Sequence, residues 1–289
     1  MNFKFLITIF LMNILYTNLT LAKQENSERE VLTISGLTQN DIEFTKDELR
    51  KLPAKIELEI DDPIYGKKMN YEAVPFKSLI KDYIESLVNS DSTIKFECWD
   101  KYSADLDIKE LLDVNDLNQA YLVFGLSDGS PLPMIIKENN HNKEIGPYYL
   151  VWPSPKDGKY KEANWPYNLK SFKFINESFR DQFPNLYPVF QNADSTELIN
   201  EVSNGLEGFR TNCFVCHAMN GEGKDKMSNV DLKNSGVIRA FDSENIRDFV
   251  RNPKKFFINS KMSAFNKSML SDSDLKAIIQ YLKFMQREE

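Results

Sequence analysis

Apolar residues change their spacing partway along this chain. Near its beginning they alternate: Ile56, Leu58 and Ile60 stand between Glu57, Glu59 and Asp61, the period of two that puts one side of a strand in a core and the other in water. Ile94, Phe96 and Cys98 alternate with Lys95 and Glu97 in the same way. Tyr121, Leu122, Val123 and Phe124 form a continuous apolar run, suited to a more fully buried strand. Turn chemistry follows at Ser127, Asp128, Gly129, Ser130 and Pro131. Residues 75–88 read as a helix with Phe76, Leu79, Ile80, Tyr83 and Leu87 on one side. Residues 31–175 therefore predict a mixed, β-rich domain.

Periodicity then fades. Pro184, Asn185, Pro188 and Asn192 punctuate residues 176–194, the composition of a linker. From Ser195 the spacing becomes helical, with Leu198, Val202, Leu206, Phe209 and Cys213 at steps of four, four, three and four. Residues 272–285 repeat the logic through Leu275, Ile278, Ile279, Leu282 and Met285, with Ser271 or Asp272 to cap the first turn. Gly205 and Gly208 remove bulk where the two helices could cross closely. On a plainer reading they only weaken the first helix, by roughly 1 kcal/mol each. The expected class is α+β: a β-rich domain over residues 23–180, a linker over 181–194 and an all-α domain over 195–289.

The first 22 residues read differently again. Lys4 precedes an apolar run over residues 5–16, and Thr20, Leu21 and Ala22 precede Lys23, the layout of a secretory signal cut after about Ala22. That implies a periplasmic or secreted protein. The run is short of the ~20 residues a spanning helix needs, and no later segment is apolar enough to span, so membrane association is not required. The full chain carries a net charge of −7, unevenly spread. Residues 195–289 hold 14 Lys/Arg against 13 Asp/Glu, and residues 23–194 hold 21 against 30. The acidic leading half argues against nucleic acid as a partner, which requires a basic footprint.

Only three cysteines occur, and two of them, Cys213 and Cys216, sit with His217 in one five-residue motif. Thiols three residues apart lie one helical turn from each other and can capture both vinyl groups on one edge of a haem, and the histidine that follows can reach the iron. A structural zinc site would need four ligands, and beyond the motif the chain offers only Cys98 and His141, both in the leading domain. A thioredoxin-like pair would start a helix after a strand, whereas this motif follows a helix. One covalent haem c is the expected cofactor, with Cys213 and Cys216 as its attachment points and His217 as the first axial ligand. Met262, 45 residues further on, is the expected second ligand, ahead of Met219, Met227 and Met269; the alternative is a methionine packed as core filler. Methionine–histidine ligation raises the potential and leaves no open iron position, which suits an electron carrier and not a catalyst. Arg251, Lys254, Lys255 and Lys261 surround the Met262 segment and suggest either a docking rim for an acidic redox partner or an ordinary solvated face.

Residues 195–289 resemble the class I cytochrome c family. Gly205 and Phe209 stand eight and four before Cys213; Asn220, Gly221, Glu222 and Gly223 are similar to the turn after the haem motif, Phe249 to Pro253 to the middle helix and its exit, and Tyr281 and Leu282 to the final helix. Where that family has Gly-Pro before a leucine, this chain has Val230, Asp231 and Leu232, which leaves open the backbone oxygen that orients His217. Residues 31–175 resemble, more weakly, the molybdopterin-binding domain of the sulfite oxidase family, through segments around Ile34, Gly36, Asp128, Gly129 and Gly146. Asp61, Asp62 and Pro63 occupy the place of that family's molybdenum-ligating cysteine, and Arg50 is the one arginine between residues 31 and 175. The resemblance then implies a fold without its cofactor, acting as a docking or ligand-binding module. Cys98 reads as buried packing, His141 as an exposed loop residue, and Trp99, Trp152 and Trp165 as core or interface. The combined expectation is a periplasmic single-electron carrier, not an enzyme. The alternative is a molybdenum- and haem-containing sulfite-dehydrogenase-like oxidoreductase, and a third possibility is a haem sensor with an open iron position.

Overall fold

The computed structural model describes residues 29–88, 91–112, 119–136, 142–153, 165–191 and 195–287. The segment expected to be a secretory signal, residues 1–22, and His141 lie outside them. The class is α+β, with a β-rich leading half and a helical second half. Five strands form one sheet in the spatial order Ile42–Thr45, Val31–Ser35, Leu169–Ile175, Thr93–Cys98 and Ser103–Asp107. Val31–Ser35 runs parallel to Leu169–Ile175 and the other pairings are antiparallel. A second, wholly antiparallel sheet orders Tyr149–Val151, Tyr121–Leu126, Lys67–Pro75 and Ile56–Asp62.

The two sheets share one core. Leu32, Ile34, Tyr71, Phe76, Phe96, Leu122, Phe124, Phe172 and Trp152 are all fully buried in it. Phe172 packs edge-on against Phe76 and Phe96 at ring separations of 5.1 and 5.5 Å, a geometry that favours aromatic pairs beyond simple burial. The expected helix over residues 75–88 is instead three short pieces, Phe76–Leu79, Lys81–Tyr83 and Ile84–Val88. Ile80 breaks the run at φ −124° and is itself completely buried. Its side chain is taken into the core at the cost of a helical backbone there, a tertiary demand that local propensity does not register.

In the second half the two long helices are Thr196–Asn212 and Asp272–Met285. Ser195 and Ser271 cap them, accepting from the amides of Leu198 and Asp274 at 3.2 and 3.1 Å. They pack directly on each other, and a methyl group on Gly205 would collide with the backbone of Ala277. Between them lie the Gly236–Ala240, Ser243–Arg251 and Pro253–Phe256 helices. Val202, Phe209, Phe214, Met219, Ile278, Tyr281 and Met285 build the core of this half.

The stretch expected as a linker, residues 181–194, behaves otherwise where it is described. Leu186 is buried within the helical core, as is Phe179 just ahead of the stretch, and Phe183, Tyr187 and Phe190 pack onto it. Tyr281 Oη donates to Leu186 O at 2.8 Å. Prolines and asparagines interrupt any period there, so pattern reading sees a loop, while the aromatic residues between them supply the buried surface. No helix among the described residues is long and apolar enough to cross a membrane.

Candidate cofactor-attachment site

The Thr196–Asn212 helix delivers the chain to Cys213, whose amide donates to Phe209 O at 2.8 Å. One more turn follows: the Cys216 and His217 amides both donate to Cys213 O, at 3.0 and 2.9 Å. The structure thus brings Cys213, Cys216 and His217 together in the expected turn. Neither thiol is in a disulfide. Burial, with Cys216 nearby, pushes the Cys213 thiol up to about 12; burial and Asp100 raise Cys216 against the pull of Lys226. Burial lowers His217 while the Val230 backbone opposes that, which favours the neutral imidazole that can ligate a metal. His217 Nδ1 is buried without a hydrogen-bond partner.

The turn after the motif is tied down by a residue that sequence reading missed. Asp231 accepts from the Asn220 amide at 2.9 Å, the Gly221 amide at 2.7 Å and the Lys233 amide at 3.0 Å. Asn220 and Gly221 sit at φ +51° and +86°, so the carboxylate holds a left-handed pair that few residues would adopt unaided. Ser228 N donates to Cys216 O at 2.7 Å, and His217–Ala218 pairs in parallel with Ser228–Asp231. On the other side Asn220 Nδ2 donates to Asn185 O at 2.8 Å, joining the motif to the supposed linker. Asp231 replaces the proline of the resembled family, and that departure was the available signal.

The methionines separate by burial. Met219 is completely buried in the helical core and Met227 is about half exposed, while Met262 and Met269 are half-buried. Met262 belongs to an irregular stretch between Pro253–Phe256 and Asp272–Met285. Arg251 organises that stretch: its Nη1 donates to Phe265 O, Asn266 O and Leu270 O at 2.9, 3.0 and 2.8 Å, and its Nη2 to Asp272 at 2.7 Å. Arg251 is thus occupied in holding the loop and leaves the expected basic rim. Lys254, Lys255 and Lys261 remain exposed, beside the exposed apolar side chains of Phe257 and Ile258.

The motif lies between the two cores. Cys213 packs with the helical core, whereas Val215 and Cys216 pack with the β-rich one. Tyr102 and Tyr167 of the leading half stand within electrostatic reach of both Cys216 and Cys98. Cys98 is buried, and burial, with Asp100 and Glu97, raises its thiol well above the usual range. Trp152 and Trp165 are core residues; Trp99 is half-buried between Arg29 and Lys170.

Residues 200–282 match the family model described as cytochrome C oxidase, cbb3-type, subunit III. No curated protein matches the chain. The family match covers less than a third of the sequence, contains the Cys213, Cys216 and His217 turn, and supports haem binding and an electron-transfer role for the helical half.

Proposed function

We propose that the chain is an exported c-type cytochrome that carries single electrons through one haem c. Cys213 and Cys216 would hold the group by thioether bonds, and His217 and Met262 would ligate its iron. The observation that carries this reading is the single turn containing both thiols and a neutral imidazole, at the end of the helix that opens the matched segment. The residues suit the group: two thiols outside any disulfide at the required spacing, and beside them a buried imidazole Nδ1 left without a partner. Haem, when bound, supplies a one-electron iron couple. The chain's own contribution is to fix the motif through Asp231, to hold the Met262 loop through Arg251, and to exclude water with Phe209, Phe214 and Tyr281. Oxidised protein should show the methionine–iron absorption band and bind no carbon monoxide when reduced. Carbon monoxide binding with no such band would replace this reading with an open-site haem sensor.

The leading half, in the same reading, is a cofactor-free domain of the sulfite oxidase type. Two features support that. Asp62, in the segment where that family carries its metal-binding cysteine, is buried and accepts from Ile64 N, Tyr65 N and Tyr71 Oη at 2.8, 3.0 and 2.8 Å. Arg50 is engaged by Glu72 and Asp47. Metal analysis should find iron without molybdenum, and stoichiometric molybdenum would establish the dehydrogenase instead. Lys254, Lys255 and Lys261, with Phe257 and Ile258 among them, suit an acidic redox partner. Electron-transfer rates that ignore ionic strength would count against it.

A further inference from the structure

The edge strand Ser103–Asp107 closes one side of the five-stranded sheet. An open edge is a pairing hazard that folded proteins cover or charge. Here alternate residues of the strand, which share one side of it, all reach into the helical half. Lys226 Nζ donates to Ser103 O at 3.1 Å, Ser103 Oγ at 2.8 Å and Asp105 Oδ2 at 2.9 Å, which uses all three of its protons. The Lys226 and Asp105 side chains are each 1% exposed. Arg210 donates to Asp107 at 3.2 Å while its guanidinium lies 3.8 Å from the centre of the Phe179 ring. On the neighbouring strand Lys95 meets Asp225 at 3.1 Å. These contacts flank the place where Val215 and Cys216 enter the β-rich core.

We infer that the β-rich half is a partner docked in cis: it is fixed over the Cys216 side of the attachment motif as a permanent cap, so that outside redox partners are confined to the face carrying Lys254, Lys255 and Lys261. This rests on the haem-carrier reading above and specifies what the leading half docks onto. The charge distribution agrees with it, since the acidic half offers Asp105 and Asp107 and the near-neutral half answers with Lys226 and Arg210. A fully buried ion pair whose lysine is saturated with acceptors is a geometry for one arrangement and not for a sliding encounter. Removing either charge leaves the other unpaired in a dry interface.

The holoprotein tests this in two ways. Solution scattering of the wild type should give a radius of gyration that is the same at low and high salt, as for one rigid body; expansion with salt would overturn the inference. Lys226→Glu should speed amide exchange over residues 103–107 and 213–217 by about tenfold or more, and the charge-swapped Lys226→Asp/Asp105→Lys protein should recover most of the protection. Exchange in Lys226→Glu indistinguishable from wild type would also overturn it. If that variant does not fold, the wild-type scattering decides. Absence of covalent haem would instead defeat the carrier reading, and scattering would still judge the cap.

Discussion

Replacing Gly205 by alanine tests how the two long helices meet. A Cβ built there would overlap the Ala277 carbonyl oxygen and stand 2.7 Å from both Ala277 C and Tyr281 Cβ. Carbon atoms rest about 3.5–4.0 Å apart, so the helices would have to separate by roughly 1 Å, and the obstacle is backbone that cannot turn aside. Overpacking of this kind costs about 1–3 kcal/mol and sometimes more. Alanine returns about 1 kcal/mol of helix propensity, so a net loss of about 2 kcal/mol is expected at the upper end of that range. For a domain near 90 residues that lowers Tm by about 8–16 °C. Gly208→Ala is the milder comparison, because its Cβ meets side-chain atoms, Ile278 Cγ1 at 2.9 Å and Cδ1 at 3.1 Å, and no backbone at such short range. It should lose less than Gly205→Ala. Thermal unfolding followed at the haem absorbance compares the two. If both variants matched or exceeded the wild type, the glycines would be mere weaknesses in a helix and the close crossing would be wrong.

Further expectations concern the site. Asp231→Ala leaves three amides around the post-motif turn without their acceptor, and should cost about 1–3 kcal/mol in urea unfolding; an unchanged midpoint would refute its anchoring role. Arg251→Met strips the Met262 loop of a donor shared by three carbonyls, so stability should fall by about 2–3 kcal/mol and the methionine–iron band should weaken; an intact band would show that the loop holds itself. The contact between halves should be acid-sensitive. Asp225 is raised by burial but lowered further by Lys95, with Lys226 adding to it, so its carboxyl titrates below the usual range. A depressed carboxylate contributes above its unfolded value, about 3.9, and is lost as pH falls through its folded one. Amide exchange at residues 93–98, the strand whose Lys95 pairs with Asp225, should therefore rise only below about pH 4, and loosening already complete at pH 6 would contradict the assignment.

Regular elements with clean periods were legible in the sequence. Residues 272–285 read as a helix and form one, and the alternation at residues 56–60 marks the Ile56–Asp62 strand. The attachment motif was legible because its chemistry requires adjacent residues. What did not show was whatever depends on distant partners. Phe183, Leu186 and Phe190 look like loop residues until the helices they cover are in place. Lys226 reads as one more surface lysine, yet it is 3% exposed because Ser103 and Asp105, more than 100 residues away, supply its acceptors. Arg251 appeared to belong to a basic surface, and folding turns it inward onto the carbonyls of a loop still to come.

Tryptic cleavage after Arg210 and Lys224 releases residues 211–224, the peptide that contains Cys213, Cys216 and His217. Its mass, measured from denatured protein purified from the periplasm of a haem-attaching host, tests the electron-carrier reading at its root. The expected peptide bears one haem through two thioether bonds and takes up no alkylating reagent. A peptide of unmodified mass, with both thiols open to alkylation, would contradict the assignment of this chain as a c-type cytochrome.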